Sequence, residues 1–144
     1  MSLLLDALRP DDARALLAAA RPRELRTGDA VLRGNDVNTS LWIVESGRVE
    51  VRLGRGEASR TVGTVGPGGF FGEVSLFEPG LTTASVTARE ATRLLEFPRE
   101  VLDRFGEERP AAAATFYASI LQELSKRIRR MDRELAESIY WLFD

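Results

Sequence analysis

The residues best suited to chemistry in this 144-residue chain lie in one glycine-rich stretch, residues 66–88. Its first glycines permit positive φ angles and a close approach of a ligand to the backbone; they are Gly66, Gly68, Gly69 and Gly72. Glu73 follows, and the short apolar run at 74–77 predicts one helical turn between two strands. A helix that begins near residue 73 has free backbone N–H groups, which favour an anion. The stretch therefore predicts an anion site with a carboxylate beside it.

Residues 71–76 and 83–88 resemble the phosphate-binding cassette of cyclic nucleotide-binding domains, such as the sensor domains of catabolite activator proteins. The resemblance implies that Glu73 binds the ribose 2′-hydroxyl, while backbone amides at 74–75 and 84–86 face the cyclic phosphate. It also implies an arginine just before the second segment, paired with the phosphate, where this sequence has Thr82. The base would meet the last helix near residues 131 and 132.

The resemblance thus gives a set of expected ligand-binding residues: Phe71, Gly72, Glu73, Val74, Ser75, Thr82, Thr83, Ala84, Ser85, Met131 and Asp132. The expected ligand is cAMP, cGMP or another cyclic nucleotide, and no further cofactor is expected. Thr82 and Thr83 bring hydroxyl groups to the place where the family has its cation.

Composition argues against several kinds of active site. The chain has no cysteine and no histidine, which removes thiol catalysis, disulfides and the commonest metal ligand, haem ligand and general base. A Ser75 nucleophile would lack a histidine base, and no second acid–base group accompanies the carboxylates Glu73 and Glu78. The glycines match neither the P-loop nor the dinucleotide fingerprint. We therefore expect a binding module rather than an enzyme, without a metal site.

The middle of the chain has the pattern of a β domain. Short apolar or alternating segments at 30–32, 41–44, 49–53, 61–65, 84–87 and 92–97 predict strands separated by turns. The turn at Ser46 and Gly47 predicts a hairpin over residues 40–53. This spacing is typical of a sandwich or barrel, and the resemblance implies an antiparallel β jelly roll, the double-stranded β-helix.

Helical patterns flank these strands. One pattern begins at Pro10 and continues to Pro22, a short one follows residue 97, and the longest begins at Pro110. We expect one mainly β domain over residues 1–144, with N-terminal helices in 1–24, the jelly roll in 25–97 and C-terminal helices in 98–144.

The last helical pattern carries an a/d heptad frame over more than three heptads. Its seam residues are Tyr117, Leu121, Leu124, Ile128, Met131, Leu135 and Leu142, with Ser138 in the one polar slot. A narrow apolar stripe of this kind predicts a parallel coiled coil, and hence a homodimer. The alternative is a single helix that packs the same stripe against its own barrel.

Charge and length bear on partners and location. The chain has 20 basic and 22 acidic residues, and its basic run at 126–130 is interleaved with acidic residues, as on a solvated helix face. No helix-turn-helix follows within the 144 residues, so direct DNA binding is not expected. Residues 2–5 are too short for a signal-peptide core and no apolar run has membrane-spanning length, so we expect a cytoplasmic protein without membrane contact.

Two functions remain open on this evidence. In the first, the domain is a regulatory sensor that binds a cyclic nucleotide or a related phosphate-bearing effector and signals through the dimer helix. In the second, the pocket is degenerate, and the chain is a dimeric scaffold for an unknown protein partner.

Overall fold

The computed structural model describes residues 3–34, 36–53, 60–73 and 84–143, with side chains for residues 4–135 of those ranges. The helices are α1 (Leu3–Asp6), α2 (Pro10–Ala19), α3 (Arg99–Glu108) and α4 (Pro110–Phe143). The strands are β1 (Arg21–Leu25), β2 (Ala30–Leu32), β3 (Ser40–Ser46), β4 (Val49–Leu53), β5 (Arg60–Val65), β6 (Phe70–Phe71), β7 (Ala84–Ala88) and β8 (Thr92–Pro98).

The strands form two four-stranded antiparallel sheets. The strand order is β1-β8-β3-β6 in the first sheet and β2-β7-β4-β5 in the second. This interleaved order is that of a jelly roll. The predicted fold class, a mainly β jelly roll with flanking helices and a long C-terminal helix, is therefore confirmed.

The first sheet is covered on both faces. Trp42 and Val44 of β3 pack into the core between the sheets, while Leu41 and Ile43 pack toward the helices. This alternation follows from the two-residue period of a strand, and it explains why a run of apolar residues without polar interruption forms β3. The helix-side core also contains Phe116 of α4, which is fully buried. Helix α4 is thus anchored to the sheet that carries β6.

The predicted hairpin over residues 40–53 is wrong. β3 pairs with β6 and β8, whereas β4 pairs with β5 and β7 in the other sheet. The tight turn at Gly47 therefore carries the chain from one sheet to the other. A Cβ atom at Gly47 would lie 2.5 Å from the backbone oxygen of Ala91, so the crossing is closely packed.

The N-terminal helical segment is shorter than predicted. Helix α2 ends at Ala19, and β1 begins at Arg21, so the β domain begins before residue 25. Pro22 lies within β1, which among the described strands pairs with β8 alone, at the edge of its sheet. Proline has no backbone N–H to donate to a neighbouring strand. An edge strand tolerates it because one of its two edges has no neighbouring strand.

The predicted dimer seam falls on two adjoining faces of α4. Tyr117 and Leu124 pack, partly buried, against the core of their own domain. Four other seam residues are 57–65% exposed: Leu121, Ile128, Met131 and Leu135. The side chain of Leu142 lies outside the described side chains. One part of the stripe therefore packs on its own barrel, as the alternative for this helix proposed, and the other part faces outward.

Within the part of the chain that the structure describes, no helix is both long enough and apolar enough to cross a membrane. The cytoplasmic location stays a prediction.

Candidate functional site

The glycine-rich stretch places Glu73 two residues after the short strand β6. β6 pairs with β3 through Trp42 opposite Phe71 and Ile43 opposite Phe70. Gly72 then takes a φ angle of +88°, in the region where side chains are disfavoured. A Cβ atom there would lie 2.6 Å from the backbone oxygen of Ser40. Only glycine fits this position, and it sets the direction in which Glu73 leaves the sheet.

Glu73 is 9% exposed and forms an ion pair with Arg127 of α4. The Arg127 Nη1 atom lies 3.4 Å from Glu73 Oε1, and Nη2 donates a hydrogen bond of 3.2 Å to the backbone oxygen of Phe70. The guanidinium carbon also lies 4.3 Å from the centre of the Phe70 ring, in cation–π geometry. Arg127 thus contacts both Glu73, the residue predicted to bind ribose, and Phe70, and links the end of β6 to the long helix.

Arg127 was not among the residues predicted from the sequence. It lies on the same face of α4 as Ile120 and Leu124, which pack against the domain core. A charged side chain that continues such an apolar face needs a partner, because unpaired charges are rarely buried. That periodicity indicates a paired arginine at position 127, but the sequence alone does not identify Glu73 as its partner.

The predicted phosphate-binding residues divide between described and undescribed parts of the chain. Val74, Ser75, Thr82 and Thr83 lie outside the described residues. Ala84 and Ser85 begin β7, and the Ser85 hydroxyl accepts a hydrogen bond of 3.1 Å from the backbone N–H of Gly34. The structure therefore shows where Glu73, Ala84 and Ser85 lie, while the ribose and phosphate contacts stay predictions.

The two residues expected near the base are on the same helix as Arg127. Met131 is 65% exposed, and Asp132 is exposed as well. Both lie about one turn beyond Arg127 along α4. Their approach to a ligand stays a prediction.

The structure also shows how two arginines close in sequence to β7 are used. Arg93 forms ion pairs with Glu45 and Glu24, and Arg89 forms an ion pair with Glu50. Both guanidinium groups are therefore engaged by carboxylates, and neither is an evident substitute for the family's arginine at position 82.

Glu50 is the centre of a second charged cluster that the sequence did not predict. This carboxylate is only 6% exposed. A hydrogen bond from Thr61 and ion pairs with Arg89 and Arg52 lower its pKa from 4.5 to about 2. Because all of its partners favour the charged form, the cluster stabilises the second sheet.

Comparisons with known proteins agree with this geometry. The cyclic nucleotide-binding domain family matches residues 22–109, from the second residue of β1 through helix α3. The chain belongs to this family. Its members have the fold described above, and the predicted recognition is confirmed.

Two curated relatives are named as a transcriptional regulator and a receptor. A CRP-like cAMP-activated global transcriptional regulator of Mycobacterium tuberculosis is 31% identical over 101 residues, 69% of this chain and 43% of that protein. A cyclic AMP receptor protein of Thermus thermophilus is 37% identical over 97 residues, 67% of this chain and 43% of that protein. This chain thus matches less than half the length of either relative.

A solved structure supports the same conclusion. The catabolite activator protein of Thermus thermophilus superposes with a TM-score of 0.79 at 30% sequence identity, over 92% of this chain and 61% of that chain. The similarity therefore extends beyond the jelly roll to the flanking helices.

Proposed function

We propose that this chain is a regulatory sensor domain that binds a cyclic nucleotide or a related phosphate-bearing effector and signals through α4. The position of Glu73 carries the proposal. Its carboxylate is nearly buried, directly after the left-handed turn at Gly72. A hydrogen bond from a ligand hydroxyl to such a shielded carboxylate is stronger than one in water. The two curated relatives are named for cAMP, which makes cAMP the first ligand to test.

The phosphate contact sets the expected affinity. A lost hydrogen bond to a charged group weakens binding by about 1.5–3 kcal/mol, which is roughly one to two decades. Thr82 and Thr83 bring hydroxyl donors that replace part of this contact. We therefore expect weaker binding than an arginine at position 82 would give, and a gain of affinity for the variant Thr82→Arg.

The ion pair of Glu73 with Arg127 gives the route from the pocket to α4. A ribose hydroxyl that binds Glu73 shares this carboxylate with Arg127. The guanidinium group of Arg127 also donates a hydrogen bond to the backbone oxygen of Phe70. Ligand binding then changes the contact between β6 and α4. A ligand that prefers one arrangement of this contact shifts the population of helix positions toward that arrangement.

We further propose that the outward face of α4 joins two copies of this chain. Leu121, Ile128 and Leu135 recur every seven residues and are each at least 57% exposed. A heptad stripe of this kind is typical of a coiled-coil seam. Since the stripe lies on the helix that carries Arg127, the dimer contact and the ligand contact share one rigid element.

The experiment that tests the ligand is a calorimetric titration with cAMP, cGMP and cyclic dinucleotides. It compares the wild-type protein with Glu73→Ala, Thr82→Arg and the control Glu90→Ala, which changes an exposed glutamate in a turn. We expect the wild-type protein to bind a ligand, Glu73→Ala to abolish this binding, and Glu90→Ala to preserve it. Unchanged affinity in Glu73→Ala would refute the ribose contact. No heat with any of these ligands would contradict cyclic nucleotide binding and favour either the scaffold or an unrelated effector.

A further inference from the structure

A single buried amide holds the turn that leads into Glu73. The side chain of Asn38, 4% exposed, donates hydrogen bonds to the backbone oxygens of Ser40 (2.9 Å) and Gly72 (3.3 Å). Its Oδ1 atom accepts hydrogen bonds from the backbone N–H of Ser40 (3.2 Å) and from the indole N–H of Trp42 (3.1 Å). These four bonds use both N–H groups of the amide and both lone pairs of its oxygen.

The bond to Gly72 fixes more than one atom. The Gly72 carbonyl and the Glu73 N–H belong to the same planar peptide unit, so fixing the carbonyl also fixes where the Glu73 backbone begins. On the other side of Gly72, the ring of Phe71 stacks on Trp42, at 6.0 Å between centroids and 3° between planes. Asn38 contacts Trp42 as well, and therefore ties both sides of the turn together.

We propose that Asn38 is a positioning residue, which sets the backbone of Glu73 so that its carboxylate reaches the ribose 2′-hydroxyl. This inference rests on the function proposed above. Asn38 holds the backbone at one end of Glu73, and Arg127 holds the carboxylate at the other. An amide side chain is needed at position 38 because two of its partners accept hydrogen bonds and the other two donate them. Aspartate has the same shape, and it keeps the acceptors but removes the hydrogen bonds donated to the backbone oxygens of Gly72 and Ser40.

The test measures binding of cAMP and of 2′-deoxy-cAMP, which lacks the hydroxyl that Glu73 is proposed to bind. The wild-type protein is expected to prefer cAMP by about 10-fold or more, the fold-change of one hydrogen bond to a charged group. In Asn38→Asp the affinity for cAMP falls by about this factor, while that for 2′-deoxy-cAMP stays within about twofold, so the preference is lost. Asn38→Ala removes the same contact and provides a second variant if one of them does not fold.

Trp42→Phe is the matched control for this comparison. It keeps an aromatic ring next to Phe71 and removes the indole N–H. The hydrogen bond from this N–H to Asn38 is lost, while the hydrogen bond from Asn38 to Gly72 is kept. The control is expected to keep the preference for cAMP. If Asn38 has only a general structural role, Asn38→Asp should weaken the binding of both nucleotides equally. That result would overturn the inference, because the preference for cAMP would then be preserved.

A second measurement does not depend on any ligand. Asn38 and Arg127 both contact the four-residue segment from Phe70 to Glu73, and residues that share a segment have non-additive effects on stability. Urea unfolding gives the factor by which each variant changes the unfolding equilibrium constant. For the double variant Asn38→Ala/Arg127→Ala, this factor should be at least about twofold smaller than the product of the factors of the two single variants. If the factor of the double variant equals that product, the two residues act independently, and the positioning role is overturned. If the wild-type protein binds neither nucleotide, the proposed nucleotide binding fails, and this cycle still decides whether Asn38 holds the turn that carries Glu73.

Discussion

The guanidinium group of Arg127 and the carboxylate of Glu73 lie 3.4 Å apart and join residues 54 positions apart in sequence. The pair connects the glycine-rich turn after β6 to the C-terminal helix. Because Phe116 and Ile120 of that helix are fully buried in the same domain, a change at Glu73 acts on an element that is anchored at one end. Beyond Arg127, the described side chains of α4 are exposed. Arg127 thus stands at the boundary between the anchored and the exposed parts of the helix.

The first prediction concerns the stability that Arg127 provides. Arg127→Ala removes an ion pair, a hydrogen bond to Phe70 and a cation–π contact. Because the arginine is partly exposed, we expect a loss of about 1–2 kcal/mol in the free energy of unfolding. The exposed neighbour Arg129 supplies the control, and Arg129→Ala should change stability by less than about 0.5 kcal/mol. Equal effects of the two variants in urea unfolding would show that the contacts of Arg127 contribute nothing specific.

The second prediction concerns the turn that carries Glu73. Gly72→Ala places a Cβ atom 2.6 Å from the Ser40 backbone oxygen at a φ angle of +88°. Left-handed backbone costs about 1–2 kcal/mol for a residue with a side chain, and the clash adds about 1–3 kcal/mol. We therefore expect a loss of about 2–5 kcal/mol, or a displaced turn with lost ligand binding.

Gly63→Ala is the control for that variant. Gly63 lies in β5 and does not have a positive φ angle, and an alanine Cβ at this position would meet no neighbouring atom within 4 Å. This substitution should leave thermal unfolding nearly unchanged. Similar melting temperatures for the two alanine variants would contradict the tight packing around Gly72.

The positions of strands and helices were largely predictable from the sequence, but their pairing was not. Alternation and glycine turns located β3 and β4 correctly, yet they do not indicate that the two strands belong to different sheets. The edge strand β1 was missed because its residues are mostly charged or exposed, and Pro22 suggested a helix end. Local patterns report which residues form strands, whereas partner choice depends on contacts between distant residues.

The candidate site was predictable only in part for the same reason. Glu73 was identified through a local motif, because the residues that present it are adjacent in sequence. Arg127 and Asn38 act on the same turn from distant segments, and their roles depend on the packing of α4 and β3 against β6. Glu50 alternates with valines as an exposed residue would, but Arg52 and Arg89 cover it. The sequence pattern does not distinguish a solvated glutamate from a paired one.

The third prediction concerns pH. The partners of Glu50 lower its pKa in the folded protein from 4.5 to about 2. The unfolded chain therefore binds more protons at this group between these values, so its stabilising contribution is complete above pH 4.5 and is lost as the pH falls toward about 2. Glu50→Gln should be less stable than the wild type at neutral pH, and the difference should shrink over this range.

Urea unfolding at a series of pH values measures this difference directly. Glu90→Gln, at an exposed glutamate, controls for the loss of one negative charge and should follow the wild-type curve. A difference between Glu50→Gln and the wild type that stays constant with pH would contradict the lowered pKa.

The fourth prediction separates the two faces of α4. Ile128 is 57% exposed on the outward stripe, so Ile128→Asp should leave the fold intact and disrupt the proposed homodimer by placing two buried charges in the seam. Leu124 packs against the core of its own domain, so Leu124→Asp should instead lower the stability of the domain itself. Arg129→Asp introduces the same residue beside the stripe and should leave the dimer nearly unaffected.

Sedimentation velocity and far-UV circular dichroism distinguish these outcomes. We expect a dimer for the wild-type protein and Arg129→Asp, and a folded monomer for Ile128→Asp. A dimer that persists in Ile128→Asp would exclude the outward stripe as the seam. A wild-type protein that is monomeric at micromolar concentration would contradict the dimer itself. The four large exposed apolar residues among the described side chains of α4 would then require another partner, because exposed apolar surface of this extent is typical of an interaction site.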